Sequence, residues 1–171
     1  MRLYKPKFWE KRNYLSILLI PLSFIIQFYI FLKKKFTKIV NFNITVICVG
    51  NIYVGGTGKT PLSIYLAKEL KKKGKKPAIV RKYYKNHKDE HDLIKKNFKN
   101  FILNKSRDKA IREAEKRGFD SVILDDGFQD YKIKKDLNII CFNSNQLDGN
   151  GLIIPAGPLR ENFSSLKDAE I

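Results

Sequence analysis

Cysteine is scarce in this sequence of 171 residues, which contains only Cys48 and Cys141, placed 93 positions apart inside apolar runs. A disulfide scaffold or a zinc ribbon needs several closely spaced cysteines, so both classes are excluded and a reduced, cytosolic setting is favoured. Disorder of the whole chain is also excluded, because 43% of the residues are hydrophobic and 12% are aromatic.

Histidine is equally rare, and His87 and His91 together fit H-x-x-E-H, an inverted zinc-protease signature. The surrounding segment is rich in lysine and lacks the apolar face of a buried helix. The chain has no other histidine that could serve as a third ligand, so we do not expect zinc here.

Acidic residues are few, at 17 against 34 lysines and arginines, and the net charge of +17 is uneven. Residues 1–118 carry +21, whereas residues 119–171 carry −4. Such a field attracts nucleotides, nucleic acids and anionic membrane surfaces. However, 27 of the basic residues are lysine, and asparagine and isoleucine are also frequent, as in proteins from AT-rich genomes. No nucleic-acid recognition element is visible, so we expect no nucleic-acid partner.

A long uncharged segment, Tyr14–Leu32, runs for 19 residues between basic flanks near the N-terminus. As a helix it would be about as long as the hydrocarbon core of a bilayer is thick. Its polar residues form a thin stripe, which favours a helix embedded in one leaflet, with lysines at its ends on lipid phosphates. A buried core helix and a single membrane span are the alternatives. We assign residues 1–40 to this membrane-associated element. The stripe consists of Ser16, Ser23, Gln27 and Lys34.

Beyond it, short apolar runs alternate with helical stretches, which predicts an α/β domain over residues 41–171 with a mostly parallel sheet. The predicted strands are Ile44–Val49, Ala78–Val80, Phe101–Leu103, Val122–Leu124 and Leu137–Phe142. The predicted helices are Pro61–Lys73 and Arg107–Arg117. Lys82–Asn100 predicts a loop with a helical piece, and Leu166–Ile171 has the pattern of the start of a further element.

A glycine-rich turn joins the first predicted strand to the helix that follows, as in a P-loop NTPase-like fold. Backbone amides in such a turn close around a phosphate, and the helix N-terminus adds partial positive charge. The lysine of the turn reaches the β- and γ-phosphates, and the next hydroxyl ligates Mg²⁺. Tyr53 stands where the usual pattern has its first glycine. The residues expected to bind ATP are Gly55, Gly56, Thr57, Gly58, Lys59 and Thr60.

Two adjacent carboxylates, Asp125 and Asp126, follow the apolar run Val122–Leu124. Phosphate-loop proteins hold their metal at the end of such a strand, directly or through water. Adjacent carboxylates are costly unless a cation lies between them or they face different ways. An exposed turn before Gly127 is the alternative. Together with the loop, the pair predicts a Mg²⁺ site at Thr60, Asp125 and Asp126.

With these motifs established, the chain resembles the tetraacyldisaccharide 4′-kinase, or lipid A 4′-kinase, family. The matching stretches are the basic, apolar N-terminal helix, VGNIYVGGTGKTP at 49–61, DDGFQ at 125–129 and GNGLIIPAGPLRE at 149–161. An altered first turn of the phosphate loop is normal for this family. The resemblance covers the whole chain but only about half of a usual family member.

The resemblance implies transfer of the ATP γ-phosphate to the 4′-hydroxyl of a tetraacyldisaccharide 1-phosphate, a lipid A precursor, at the cytoplasmic face of the bacterial inner membrane. It implies catalytic roles for Lys59 and Asp126, and it aligns Asp89 with the family's candidate base for the sugar hydroxyl. Arg107 and Arg160 match arginines expected to bind substrate, since a guanidinium can hold a phosphate bidentately.

The chain departs from the family pattern in three places. Asp130 replaces a histidine, residues 80–83 read Val-Arg-Lys-Tyr instead of Ser-Arg-Gly-Tyr, and the Gly-Asp-Glu-Pro loop around Asp89 has lost its glycine and proline. The family's C-terminal domain is also missing, so we expect a fragment or partial gene product with low turnover. The alternatives are a nucleotide-binding module without turnover and another membrane-associated P-loop ATPase. The deviant-loop ATPase class is disfavoured, because Val54 occupies the place of its signature lysine.

Overall fold

The computed structural model describes residues 5–144 and 148–170. The strands are β1 (Thr45–Gly50), β2 (Pro77–Lys82), β3 (Phe101–Asn104), β4 (Ser121–Asp125) and β5 (Leu137–Ile140). The α-helices are α1 (Tyr14–Leu18), α2 (Ile20–Phe36), α3 (Lys59–Lys72), α4 (Lys88–Asn97) and α5 (Arg107–Lys116). Two 3₁₀ segments span Lys7–Trp9 and Phe163–Asp168.

The five strands form one sheet in the order β3-β2-β4-β1-β5, and every strand pairing in it is parallel. The predicted α/β class with a parallel sheet is therefore confirmed, and each predicted strand agrees with the structure to within two residues at either end. The phosphate-loop strand β1 lies beside β4, so that Val49 pairs with Asp125. Because parallel strands end at the same edge, the loop after β1 and the carboxylates after β4 lie together.

Helices cover both faces of the sheet, and the apolar strands are buried between them. On one face Ala110 and Ile111 of α5 pack into a cluster with Val80 and Leu124. On the opposite face α3 and α4 pack on a second cluster made by Val49, Ile64, Ala67, Ile79, Ile94 and Ile123. Full burial of one such aliphatic side chain contributes about 1.5–3 kcal/mol. The sheet that positions the site is therefore rigidly supported from both sides.

The polar segment between β2 and β3 contains more helix than the predicted loop with a helical piece. Helix α4 occupies ten residues of it, and His91 and Ile94 are buried on its inner side. At the other end of the chain the expected further element is a 3₁₀ segment, Phe163–Asp168, which begins earlier than predicted. The last position of that prediction, residue 171, lies outside the described residues.

The N-terminal apolar segment forms two helices, α1 and α2, instead of the one continuous helix that was predicted. Asn13 caps α1 through a reciprocal pair of hydrogen bonds with Ser16. The break lies at Leu19, because Pro21 has no N–H to donate and is tolerated only in the first turn of a helix, where α2 places it. Helix α2 also continues past the predicted end, to Phe36.

The polar stripe of these helices faces the protein, and the apolar side faces outward. Ser16 and Ser23 are buried, and the Ser23 hydroxyl donates a hydrogen bond of 2.7 Å to the carbonyl of Ile153. Lys34 forms a 3.0 Å ion pair with the buried carboxylate of Glu161. A core helix would bury its apolar residues and expose its polar ones, so the alternative of a buried core helix is wrong. The exposed apolar residues include Leu15, Leu18, Phe24, Ile25, Phe28, Tyr29, Phe31 and Phe36.

No helix in the described ranges combines the length and the hydropathy that a membrane crossing requires. The division of the chain at residue 40 stays a prediction.

Candidate functional site

The glycine-rich turn lies where it was predicted, between the end of β1 at Gly50 and the start of α3 at Lys59. Gly58 immediately precedes the helix with φ +77°, a left-handed conformation that glycine adopts at no steric cost. A Cβ added at Gly56 or Gly58 would meet nothing within 4 Å, so the space above the turn is open. Backbone amides at a helix N-terminus beside open space are a site for an anion such as phosphate.

The altered first part of the turn is held against the motif that follows residue 149. Tyr53 is fully buried, and its hydroxyl accepts a hydrogen bond from the amide of Asn143. The amide of Val54 donates to the carbonyl of Pro158 at 2.8 Å, and that of Arg160 to Ile52 at 2.7 Å. Tyr53, which stands in place of a glycine, therefore anchors this part of the turn. The backbone hydrogen bonds of Val54 and Ile52 hold the segment that carries Arg160 next to the site.

Asp125 is completely buried and lies directly below the start of α3. Its carboxylate accepts hydrogen bonds from the Thr60 hydroxyl at 3.0 Å and from the Ser63 hydroxyl at 3.2 Å. It also pairs with the guanidinium of Arg81, which is itself buried. The exposed-turn alternative for this carboxylate is therefore wrong.

Asp126 points in another direction, into a group of cations. One of its carboxylate oxygens lies 3.5 Å from Lys59 Nζ and 3.3 Å from Arg160 Nη1. Burial raises the pKa of Asp126, but Lys59, Arg160 and Arg107 outweigh burial and lower it overall. Burial lowers the pKa of Lys59 despite Asp126. The lowered pKa of Asp126 reflects the positive charge around it, which a bound anion would help to neutralise.

Arg107 and Gln129 fix the turn that carries Asp126. The Arg107 guanidinium donates to the backbone carbonyl of Asp126 and lies 3.4 Å from the carboxylate of Asp130. The Gln129 amide donates to the carbonyl of Asn51 at 2.8 Å, which ties this turn to the glycine-rich loop. Asp130, which stands in place of the family histidine, thus forms an ion pair with Arg107.

An open cleft of about 390 Å³ lies beside Asp126 and reaches the end of α2. Its lining is mostly basic and aromatic, which suits an anionic ligand with a ring-shaped body. The lining residues include Lys33, Lys82, Arg107, Lys132 and Arg160 among the cations, and Tyr84 and Tyr131 among the aromatics.

Asp89 lies apart from this group, exposed in the first turn of α4. Its carboxylate forms no hydrogen bond or ion pair with any residue in the described part of the chain. Its neighbour Glu90 instead contacts the site, through an ion pair with Arg81. The structure therefore brings together Lys59, Thr60, Asp125, Asp126, Arg107 and Arg160 of the predicted residues and leaves Asp89 at the rim.

The sequence analysis missed three side chains that contact these residues: Arg81, Ser63 and Gln129. Arg81 carried a signal that could have identified it, because it directly follows the apolar run Ala78–Val80, as Asp125 follows Val122–Leu124. In the sheet the two are register partners on neighbouring strands. Ser63 lies one helical turn beyond Thr60, a spacing that places both hydroxyls on one face of α3.

The donor set at Thr60, Asp125 and Asp126 fits Mg²⁺. A hydroxyl and carboxylates are the hard oxygen ligands that this ion takes, usually together with water and substrate phosphates. Arg81 already places a cation between Thr60 and Asp125. The described residues contain no group of three or more His, Cys, Asp or Glu side chains placed to hold a metal by themselves. Water molecules and, when a nucleotide is bound, phosphate oxygens would complete the coordination.

Comparison with known proteins identifies the same family as the sequence motifs do. A family model described as LpxK, tetraacyldisaccharide-1-P 4′-kinase, matches residues 15–171. A tetraacyldisaccharide 4′-kinase of Pelagibacter ubique (strain HTCC1062) is 46% identical over 99% of this chain and 54% of its own. One of Rickettsia canadensis (strain McKiel) is 39% identical over 99% of this chain and 56% of its own. The chain thus spans about half the length of the curated relatives it matches.

A solved structure agrees with the fold. The crystal structure of the "apo" form of LpxK from Aquifex aeolicus in complex with ATP is similar at a TM-score of 0.76 and 30% identity. The match covers 91% of this chain and 57% of that one.

Proposed function

Because the chain belongs to the LpxK family of tetraacyldisaccharide-1-P 4′-kinases, we propose that it transfers the ATP γ-phosphate to the 4′-hydroxyl of a tetraacyldisaccharide 1-phosphate in lipid A biosynthesis. The observation that carries the proposal is the meeting of the glycine-rich turn with two carboxylates. Lys59 lies within 3.5 Å of Asp126, and Thr60 within 3.0 Å of Asp125. A triphosphate and its Mg²⁺ need this combination of amides, lysine, hydroxyl and carboxylate, as in P-loop NTPases.

In this proposal the amides of residues 55–60 hold the β- and γ-phosphates, and Lys59 neutralises their charge. Thr60, Asp125 and Asp126 are the residues that would hold Mg²⁺, and a bound ion would supply positive charge near the transferred phosphoryl group. The sugar 4′-oxygen attacks the γ-phosphorus, the bond to the ADP oxygen breaks, and Asp89 accepts the hydroxyl proton. Asp89 is exposed at the rim, so it would act on a hydroxyl presented from the solvent side of α4.

Arg107 and Arg160 line the basic cleft together with Asp126, where they are suited to bind the phosphorylated acceptor. Positioning dominates phosphoryl transfer, so groups that fix the acceptor contribute much of the rate. Arg160 also contacts Asp126 at 3.3 Å. It would therefore align the acceptor with the phosphate that is transferred.

Membrane association at the cytoplasmic face of the inner membrane completes the proposal. The acyl chains of the acceptor stay in a bilayer, and the apolar outer side of α1 and α2 offers a surface that could enter one leaflet. Lys33 and Lys35, which are exposed near the end of this helix, would each add up to about 1 kcal/mol of attraction to anionic headgroups, whereas Lys34 is paired with Glu161. Lys33 also lines the basic cleft, so the cleft would open at the interface.

A nucleotide-binding module without turnover is the second candidate. The observation that favours it is the coverage of the relatives, since the chain aligns with only 54% and 56% of two of them.

Transfer of ³²P from γ-labelled ATP to a tetraacyldisaccharide 1-phosphate in mixed micelles tests the proposal. We expect labelled lipid with the unchanged chain and none with Asp89→Ala. The matched control is Asp92→Ala, which removes another exposed carboxylate from α4, three positions after Asp89. This variant should retain transfer. Mg-ATP binding without labelled lipid would instead favour the module. Labelled lipid that persists in Asp89→Ala would support the kinase and contradict the role of Asp89.

A further inference from the structure

Arg81 is a buried arginine to which the proposed reaction assigns no role. It lies at the end of β2, and its side chain is only 3% exposed. One guanidinium nitrogen, Nη1, bonds to Asp125 and lies 3.2 Å from the Thr60 hydroxyl. The other, Nη2, bonds to Glu90 at the start of α4 and lies 3.1 Å from His87 Nδ1.

The atoms that Nη1 contacts are those that the proposed site offers to Mg²⁺. Thr60 Oγ1 and Asp125 Oδ2 lie 3.0 Å apart, and Nη1 bonds to both. Mg²⁺ would need to approach the same oxygens to about 2.1 Å. A guanidinium and a divalent cation cannot share these oxygens, because both the space and the like charges forbid it.

We propose that Arg81 occupies the cation position between Thr60 and Asp125 when no metal is bound, and that Mg²⁺ and the Arg81 guanidinium compete for it. The inference rests on the proposed Mg-ATP site and adds a residue that sets how readily the metal enters. Asp125 is completely buried, and a buried carboxylate without a partner is strongly destabilising. Arg81 keeps the Asp125 carboxylate paired while no metal is bound. When the metal replaces Arg81, Asp125 is paired with the metal instead.

Glu90 gives the displaced guanidinium a second position. It is half exposed, unlike Asp125, and it already holds Nη2. On metal binding, Nη1 leaves Asp125 and can join Nη2 on the Glu90 carboxylate, which turns a single contact into a stronger bidentate pair. Glu90 therefore favours displacement, and Arg81 links metal entry to the first turn of α4, which also carries Asp89.

Mn²⁺ binding to the nucleotide-free chain in detergent micelles tests the competition, with the electron paramagnetic resonance signal of free Mn²⁺ as the readout. Only molecules with Arg81 displaced can bind the metal, so Arg81→Gln should tighten Mn²⁺ binding by about tenfold or more. Arg117→Gln is the control. It removes an exposed arginine that pairs with Glu113 and not with Asp125, and should leave Mn²⁺ binding unchanged. Adding Asp125→Asn to Arg81→Gln should abolish the gain.

Glu90→Gln provides a second test, which does not depend on the folding of an Arg81 variant. Without the Glu90 carboxylate the guanidinium loses its alternative partner, so Mn²⁺ binding should weaken severalfold. The proposal is overturned if folded Arg81→Gln binds Mn²⁺ no more tightly than the unchanged chain. It is also overturned if Glu90→Gln leaves the affinity unaltered. Because metal binding is measured instead of phosphoryl transfer, a chain without kinase activity can still support the competition.

Discussion

The Thr60 hydroxyl lies 3.0 Å from the Asp125 carboxylate, although 65 positions separate the two residues along the chain. The contact exists because β1 and β4 are neighbours in a parallel sheet, so the helix that follows β1 begins above the end of β4. Five-stranded parallel sheets bring residues of different segments to one edge in this way.

Lys59→Ala should abolish measurable Mg-ATP binding. Lys59 is mostly buried beside Asp126 and next to the glycine-rich turn, so its charge acts on a phosphate with little screening. Loss of a charge-assisted contact of this kind weakens binding by about 100-fold or more. Isothermal titration calorimetry with a non-hydrolysable ATP analogue and Mg²⁺ measures the change. The control is Lys72→Ala, which removes an exposed lysine of the same helix and should bind like the unchanged chain.

Phe28→Glu should weaken binding to anionic lipid vesicles by roughly tenfold, because it removes an apolar side chain from the surface proposed to enter the bilayer. Phe28 is 62% exposed on the outer side of α2. Vesicle co-sedimentation measures the effect. Tyr65→Glu changes an equally exposed aromatic residue on α3 and should leave the partition unaltered. Equal losses in both variants would contradict a specific role for α2.

Asp108 should make stability depend on pH in the acidic range. Hydrogen bonds from Lys132 and Ser106 lower its pKa from 3.8 to about 2. A lowered pKa in the folded state contributes stability above pH 3.8, and this contribution is lost as the pH falls to about 2. Asp108→Asn should therefore lower the free energy of unfolding by about 1 kcal/mol at pH 7, the size expected when a half-exposed lysine is the partner.

Urea unfolding at pH 6, 4 and 2.5 tests this assignment, since the difference between Asp108→Asn and the unchanged chain should shrink along the series. Glu113→Gln removes an exposed carboxylate from the same helix and should have a smaller effect at every pH. A difference that stays constant with pH would refute the role of Asp108.

Gly157→Ala should destabilise the fold through a steric clash. A Cβ at this position would collide with the Asn150 side chain and the Leu152 backbone. Asn150 cannot yield freely, because its amide donates to the carbonyls of Phe8 and Ala156 at 2.8 Å each. Overpacking of this kind costs about 1–3 kcal/mol. Thermal or urea unfolding measures the loss.

Gly56→Ala is the matched substitution for this measurement, because its Cβ would meet nothing within 4 Å. We expect its free energy of unfolding to change by less than about 0.5 kcal/mol. If both alanine variants unfold alike, the tight contact around Gly157 does not limit stability.

The local pattern was sufficient to predict all five strands, helices α3 and α5 and the glycine-rich turn. Apolar runs of strand length and helical spacing report burial directly, and a turn that needs φ +77° at Gly58 is marked by glycine itself. The break at Leu19 was missed, because proline is compatible both with a kinked helix and with the first turn of a new one.

The amino-acid sequence by itself determined the five strands, helices α3 and α5 and the glycine-rich turn, since each depends on neighbours within a few positions. Their alternation along the chain indicated the parallel α/β class. Only the tertiary structure decided that Arg81 contacts Asp125 while Asp89 stays exposed at the rim, and that the polar stripe of α2 faces Ile153 and Glu161. The order of strands sets the first of these contacts. The packing of α2 on residues 150–165 sets the orientation of the polar stripe. Neither the strand order nor this packing produces a periodic pattern in the sequence.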